Sequence, residues 1–288
     1  MNDPLISKDA PPRVVTELWL YPIKSGRGVR VERAVAEAKG FRGDRRWMVV
    51  DERGVFFSQR THPRLALISA LPRGDVMTIA ASGAGSIEIP ADPAGERCRV
   101  TIWDDAVDAR DAGDAPARWL SAFLGVPARL VFMPEESPRP LRREITGKGD
   151  EASFADAYPY LLIGQESLHS LSAHLATPVR MDRFRPNIVV GGCDPYEEDT
   201  WRRIRIGGIL FHVVKPCARC VVTTVDQGSG SSDGDEPLAT LGRIRRTGNG
   251  VLFGQNCVAG EKGEVRVGDR VEVIETGPPP PIRPGGMP

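Results

Sequence analysis

No run in this 288-residue chain approaches the about 20 consecutive apolar residues of a membrane-spanning helix. Its opening, MNDPLISKDAPPR, has neither a basic start nor a continuous apolar stretch, so it does not read as a secretory signal. The expectation is a soluble, cytoplasmic protein with no membrane partner. Neither sign of charge dominates: 38 Lys and Arg balance 38 Asp and Glu, so nothing in the total argues for a nucleic-acid partner, and any anion site must be local. Cysteine is scarce and odd in number. The five, Cys98, Cys193, Cys217, Cys220 and Cys257, do not make a disulfide framework and fit a reducing compartment. The four histidines, His62, His169, His174 and His212, are scattered. No repeat, heptad or glycine-rich phosphate fingerprint occurs, which argues against a Rossmann or P-loop enzyme.

What is present is β-strand grammar. VVTELWL, VRVERAVA, RRWMVVD, GVFFS, RLALIS, VMTIAA, SIEIP and RCRVTIW are short, rich in Val, Ile and Thr, and separated by turn clusters such as SGRG and DERG. Trp119, Leu120, Phe123 and Leu124 then recur at helical spacing after Asp114, a possible cap, and the strand ARLVFM follows. From Met133 to Asp150 the charged, Pro-containing stretch lacks apolar period and reads as a linker or mobile loop. Beyond it come YLLI, a helix around Gln165 to Leu175, PNIVVGG, RIRIGGILFHVV, CVVTTVD, a helix near Pro237 to Arg246, and GEVRVGDRVEVIE. The predicted fold is mainly β, rich in β-barrel and with a few helices. Its expected domains are 1–135 and 136–274, with a Pro-rich disordered tail over 275–288.

The most informative segment is KPCARC, between the apolar runs ILFHVV and VVTTV. Zinc would need two further ligands at workable spacing, and the chain has no second Cys-x-x-Cys and no paired His. A thioredoxin-type pair should open a helix after a strand, whereas β-branched residues follow here. Two small buried hydrophobes remain an alternative. Arg219, between the cysteines, favours a further reading, because a cation beside a thiol can hold a thiolate ionised or grip an anion. A thiolate held by strands beside a cation suits a soft metal centre. LYPIKSGRG puts Lys24 and Ser25 in a turn after a strand, where an ammonium, a hydroxyl and backbone N–H groups can face a phosphate. Arg45 in GDRRW and Arg185 in FRPNIVVGGCD each enter an apolar strand, so each needs an ionic partner, structural or ligand.

LYPIKSGRG, GDRRWMVVD, FRPNIVVGGCD, CARCVVTTVD and LFGQN occur in the order and approximate spacing of proteins that join an N-terminal β-barrel to a MOSC domain, named for the C-terminal region of molybdenum cofactor sulfurase. From about Val14 to Ile274 the chain resembles this family, most of all the branch of the mitochondrial amidoxime-reducing component and its bacterial relatives. The resemblance implies a molybdenum-pterin cofactor, with Cys220 as the metal ligand and Ala218 and Arg219 beside the cofactor. It carries Lys24, Ser25, Arg45, Arg185 and Asn187 over as cofactor-binding residues. FADAYPYLL matches a metal-lining segment, which makes Asp156, Ala157 and Tyr158 candidates, with Asp156, the ionisable carboxyl there, proposed for proton delivery. The implied activity is a molybdenum-dependent oxidoreductase that abstracts oxygen from N-hydroxylated or N-oxide-type small molecules. The mitochondrial members' N-terminal anchor and the iron-sulfur domain appended to some bacterial members are not seen in this sequence, so a separate electron-donating reductase or carrier is expected. Two alternatives stay open: a non-enzymatic molybdenum-cofactor or sulfur carrier using Cys220, and a cofactor-free barrel holding another anion through Lys24, Arg45 and Arg185.

Overall fold

The computed structural model describes residues 11–141, 149–248 and 250–282. The start of the chain, residues 142–148 of the expected linker and 283–288 of the expected tail lie outside the described residues. In the first half the strands are β1 (Val14–Leu20), β2 (Val29–Val31), β3 (Arg33–Glu37), β4 (Gly40–Phe41), β5 (Trp47–Val50), β6 (Ser69–Arg73), β7 (Val76–Ala81), β8 (Gly85–Pro90), β9 (Arg97–Ile102), β10 (Asp105–Asp111) and β11 (Arg129–Phe132), with helix α1 (Asp114–Leu124) before the last. In the second half come β12 (Tyr160–Gly164), α2 (Gln165–Ser172), β13 (Ile188–Gly191), β14 (Trp201–Ile206), β15 (Ile209–Ala218), α3 (Leu238–Ile244), β16 (Arg246–Thr247), β17 (Gly250–Ala259), β18 (Gly263–Arg266) and β19 (Val271–Thr276). Strands dominate both halves, as the sequence pattern predicts.

The second half is organised by one sheet in the order β19-β14-β15-β17-β12-β13-β1-β2, with β16 pairing on β17. It curls until Val14 bridges Arg270, with the Val15 N–H donating to the Asp269 carbonyl at 2.9 Å and the Val271 N–H to the Arg13 carbonyl at 2.8 Å. The first strand of the chain is therefore a stave of the barrel otherwise built by the last 130 or so residues, a non-local pairing that local pattern cannot reveal. Leu18, Tyr160, Trp201 and Phe211, all fully buried, share its core with Ala36 and Phe41 of the small sheet β18-β3-β4. Helices α2 and α3 cover the outside through Leu168, Leu171 and Leu241 against Ile163 and Phe253. In the first half, β5 pairs with β11, which pairs with β10, and a separate meander β6-β7-β8 packs nearby. Val49 of β5 faces one core while Met48 and Val50 face another, so WMVV reads as an unbroken apolar run.

Four expectations need correction. RLALIS is not a strand: Pro63–Leu67 form a 3₁₀ turn, because Pro63 fixes its own φ and brings no N–H to a ladder. GVFFS is not a strand either: among the described residues its ladder pairing is limited to the isolated bridges Val50–Phe56 and Val55–Thr101. Asp114 does not cap α1; Gly113 precedes the helix without a side-chain cap, and Asp114 accepts from Arg129 at 3.1 Å. VVTTVD is not a strand either, since Val221–Thr224 form a 3₁₀ turn in which the Thr223 and Thr224 hydroxyls return to the Cys220 and Val221 carbonyls. Such local hydroxyl bonds compete with a sheet ladder. Cys220 thus lies just past the end of β15, at the entry to a turn rather than within a strand.

Candidate functional site

The two halves enclose a cavity of about 300 Å³. Lys24, Ser25 and Arg45 line it from the first half, Asp156, Ala157 and Tyr158 from the segment before β12, and Arg185, Asn187, Ala218, Arg219 and Cys220 from the second half. Every residue singled out in the sequence faces this one space. So do Arg60, Lys215, Cys217 and Asn256, which the sequence reading did not select as site residues.

At the inner end, two guanidinium groups stack on one buried ring. The Arg45 and Arg185 guanidinium carbons lie 4.6 Å and 4.2 Å from the centroid of Tyr21. Both arginines hold positive φ, 50° and 56°, a conformation non-glycine residues keep only where the surroundings impose it. Asp44, fully buried, ion-pairs with Arg45 and accepts the Tyr21 N–H at 2.7 Å. The Asn187 amide oxygen accepts from Arg45 at 3.1 Å and from the Leu161 N–H at 3.3 Å, while its nitrogen donates to the Trp19 carbonyl at 3.2 Å. With these partners, Asn187 aims Arg45 and ties β1 to β12. Arg185 donates through Nη1 to the Gly26 carbonyl at 2.6 Å, but its Nη2 is buried with no partner. Burial, helped by the Arg45 charge, pushes the Arg185 pKa down to about 10, so the group stays cationic at neutral pH. A buried cationic N–H without an acceptor is a costly arrangement that an incoming anion relieves.

At the outer end lie Lys24, Asp156, Arg60 and Cys220. Lys24 is buried, donates to the Phe154 carbonyl at 3.0 Å and ion-pairs with Asp156. Burial pushes its pKa down to about 8, with Asp156 opposing the shift. For Asp156 burial works against ionisation, but Lys24, then Arg60 and Arg45, outweigh it and hold the carboxyl below its usual range; half its side chain is open to solvent, so ion pairing decides. This changes the expected role of Asp156. A carboxyl that strongly held as carboxylate is a poor proton donor near neutral pH, whereas Lys24 is close to the operating range. One Arg60 nitrogen, Nη2, lies 3.2 Å from the Cys220 sulfur and 3.5 Å from Asp156 Oδ2. The two cysteines have different neighbours: Arg219 donates through Nη1 to Cys217 at 3.0 Å and through Nη2 to the Phe184 carbonyl at 2.6 Å, leaving its buried Nε without a partner. Among the described residues no three His, Cys, Asp or Glu side chains converge to hold a metal, so a zinc site built from protein ligands finds no ligand set there.

Residues 13–127 match the MOSC N-terminal beta barrel domain, and residues 149–272 match the MOSC domain. The human protein named mitochondrial amidoxime-reducing component 1 is 36% identical over 280 residues, covering 90% of this chain and 82% of the relative. A cattle protein named mitochondrial amidoxime reducing component 2 is 34% identical over 277 residues, covering 89% of this chain and 82% of the relative. The chain belongs to the MOSC family.

Within this MOSC protein, the residues that sequence reasoning missed are those that position others. Arg139, buried, donates to the Ser153 and Ala155 carbonyls at 2.6 Å each and to Asp105 at 2.9 Å, fixing the segment that carries Asp156. Its surroundings, SPRPLRRE, read only as charged linker. Tyr21 and Asp44 flank recognised motif residues, and an apolar ring or a lone acid beside an arginine gives no local signal of stacking or pairing. Arg60 lies in SQRTHPR, which has no period at all.

Proposed function

We propose that this chain is a molybdenum-pterin-dependent reductase of N-hydroxylated or N-oxide-type small molecules. The observation that carries the reading is the cavity itself: the Cys220 thiol, with Cys217 near it, set among Lys24, Arg45, Arg60, Arg185 and Arg219, with Arg185 Nη2 and Arg219 Nε buried and unsatisfied. That donor set fits a group bearing a phosphate and a soft metal. Arg45 and Arg185 would hold the phosphate by charge-assisted bonds, the Lys24–Ser25 turn would face it from the first half, and Cys220 would supply the thiolate. The relatives' names, which speak of amidoxime reduction, support the same reaction class.

When bound, such a cofactor supplies two-electron chemistry at molybdenum through which an N–O bond is cleaved. Reduction of N–OH to N–H takes two electrons and two protons and releases water. Lys24, with its pKa pushed down to about 8, is the group here suited to holding a proton beside the reacting end, and Asp156 keeps that ammonium in place. Arg60 keeps a positive charge against the sulfur. The electrons come from a separate reductase or carrier. The test is metal analysis of freshly isolated protein, followed by turnover of a hydroxylamine or amidoxime with a chemical reductant. Near-stoichiometric molybdenum with catalytic reduction is expected; cofactor without turnover would support a carrier, and no molybdenum would overturn the reading.

A further inference from the structure

Two consecutive residues of the first half, Gln59 and Arg60, touch four separate segments of the site. The Gln59 N–H donates to Ser25 Oγ at 3.3 Å, and its side-chain nitrogen donates to the Ser25 carbonyl at 2.8 Å. The same amide forms a reciprocal pair with Gln227, at 3.0 Å and 2.9 Å, and Gln227 lies in the loop just after the Cys220 turn. Gln59 is 1% exposed and Gln227 7%, so both amides are withdrawn from water and their loss would leave unsatisfied groups. Arg27 reinforces the contact by donating to the Gln227 carbonyl at 3.2 Å. Arg60, the next residue, has its guanidinium carbon 4.7 Å from the centre of the Trp103 ring and reaches both Cys220 and Asp156. Trp103 itself sits at φ 54°, an unusual conformation for so large a side chain, in the short connection between β9 and β10.

We propose that Gln59 and Arg60 form a positioning bracket: Gln59 locks the Lys24–Ser25 turn to the loop after Cys220, and Arg60 holds the Cys220 sulfur and the Asp156 carboxylate in register across the two halves. Neither residue belongs to the family motifs above. The Gln59 contacts lie wholly within this chain and do not depend on the proposed cofactor; the contact of Arg60 with sulfur deepens that reading. A donor on a metal-bound thiolate draws electron density from the sulfur and raises the reduction potential of the centre, so its removal lowers it.

The full-length chain supports two measurements. In cofactor-free protein, Gln59→Ala should speed amide hydrogen exchange at Thr223, Val225 and Asp226, whose N–H groups are hydrogen-bonded within the Cys220 turn and loop, by about tenfold or more, with exchange in β5 and β11 unchanged. If Gln59→Ala fails to fold, Gln59→Glu keeps the size and removes both side-chain donations. In cofactor-loaded protein, Arg60→Ala should give a more negative potential than wild type, and Arg60→Lys, which keeps the charge but not the fork, an intermediate one. Unchanged exchange at those three amides overturns the Gln59 half of the bracket, and an unchanged potential in folded, loaded Arg60→Ala overturns the Arg60 half. If wild-type protein takes up no molybdenum cofactor, the reading as a reductase fails, and the bracket stands or falls on exchange in the Gln59 and Arg60→Ala variants alone.

Discussion

At the inner end of the cavity the Arg45 side chain is 12% exposed, stacked on Tyr21 and paired with a carboxylate that water does not reach; at the outer end Asp156 is 54% exposed and Arg60 27%. The inner end is a fixed framework whose unsatisfied groups include Arg185 Nη2 and the Tyr21 hydroxyl, which suits binding. The outer end combines a half-exposed thiol, a carboxylate and an ammonium with a lowered pKa, which suits chemistry. In this cavity, then, retention rests mainly on Arg45 and Arg185 and turnover on Cys220, with the Lys24–Ser25 turn serving both, and variants at the two ends should separate them.

The largest effect belongs to the outer end. Cys220→Ser exchanges a soft thiolate for a hard, protonated hydroxyl, and turnover of an amidoxime should fall at least about 100-fold. Cofactor content should fall much less, because Arg45 and Arg185 are untouched. Loss of cofactor in step with activity would break the division between the two ends.

Arg185→Ala tests the inner end. It removes a buried cation aimed at the proposed phosphate and should weaken cofactor retention by roughly 1.5–3 kcal/mol, about 10- to 150-fold. Protein that remains loaded should turn over at close to the wild-type rate per bound molybdenum. Wild-type cofactor content in folded Arg185→Ala protein would reduce Arg185 to a structural partner of Tyr21 and Gly26.

A smaller effect is set by pH. Lys24 titrates near pH 8 in the folded chain, down from 10.5, so activity should decline as pH rises through about 8, where the ammonium beside Asp156 is lost. Stability should move the other way. Between about pH 8 and pH 10.5 the unfolded chain keeps a proton that folded Lys24 has released, so this group makes unfolding harder as pH rises. Falling turnover together with a steady or rising contribution to stability distinguishes proton chemistry from denaturation. Lys24→Arg, always charged, should lose the alkaline limb; a limb retained in that variant assigns it to another group.

How much of this was legible in the sequence follows the range of the interactions. β1, β7, β9 and α1 were readable because each buries one face or stripe that its own residues spell out. β10, DAVDARD, is polar on its outer face and β17 begins and is interrupted by glycine, so neither announced itself, although β17 pairs with both β12 and β15. The candidate site residues were legible through motifs, since a Lys-Ser turn and a cysteine beside an arginine carry their own chemistry. Arg60, Gln59 and Arg139 were not, because their meaning lies in contacts with residues 14 to 168 positions away. The acidity of Asp156 was not legible for the same reason: it is set by Lys24, Arg60 and Arg45, none of which is near it in sequence.

The smallest predicted effect is the most discriminating. Cys217 and Cys220 are three positions apart, and a zinc or disulfide chemistry would treat them as equals. In the fold they are not equals: Cys217 closes the end of β15 and accepts from Arg219 at 3.0 Å, whereas Cys220 faces Arg60, from the other half. A serine hydroxyl at position 217 is slightly smaller than the thiol and can accept the same Arg219 donor, so Cys217→Ser should cost less than about 1 kcal/mol of stability and leave turnover within roughly twofold of wild type. Thermal unfolding, molybdenum content and amidoxime reduction, measured beside Cys220→Ser, give the comparison. Equal and complete loss of activity in both folded variants would overturn the assignment of the metal bond to Cys220 alone and make the pair, rather than one sulfur, the working unit.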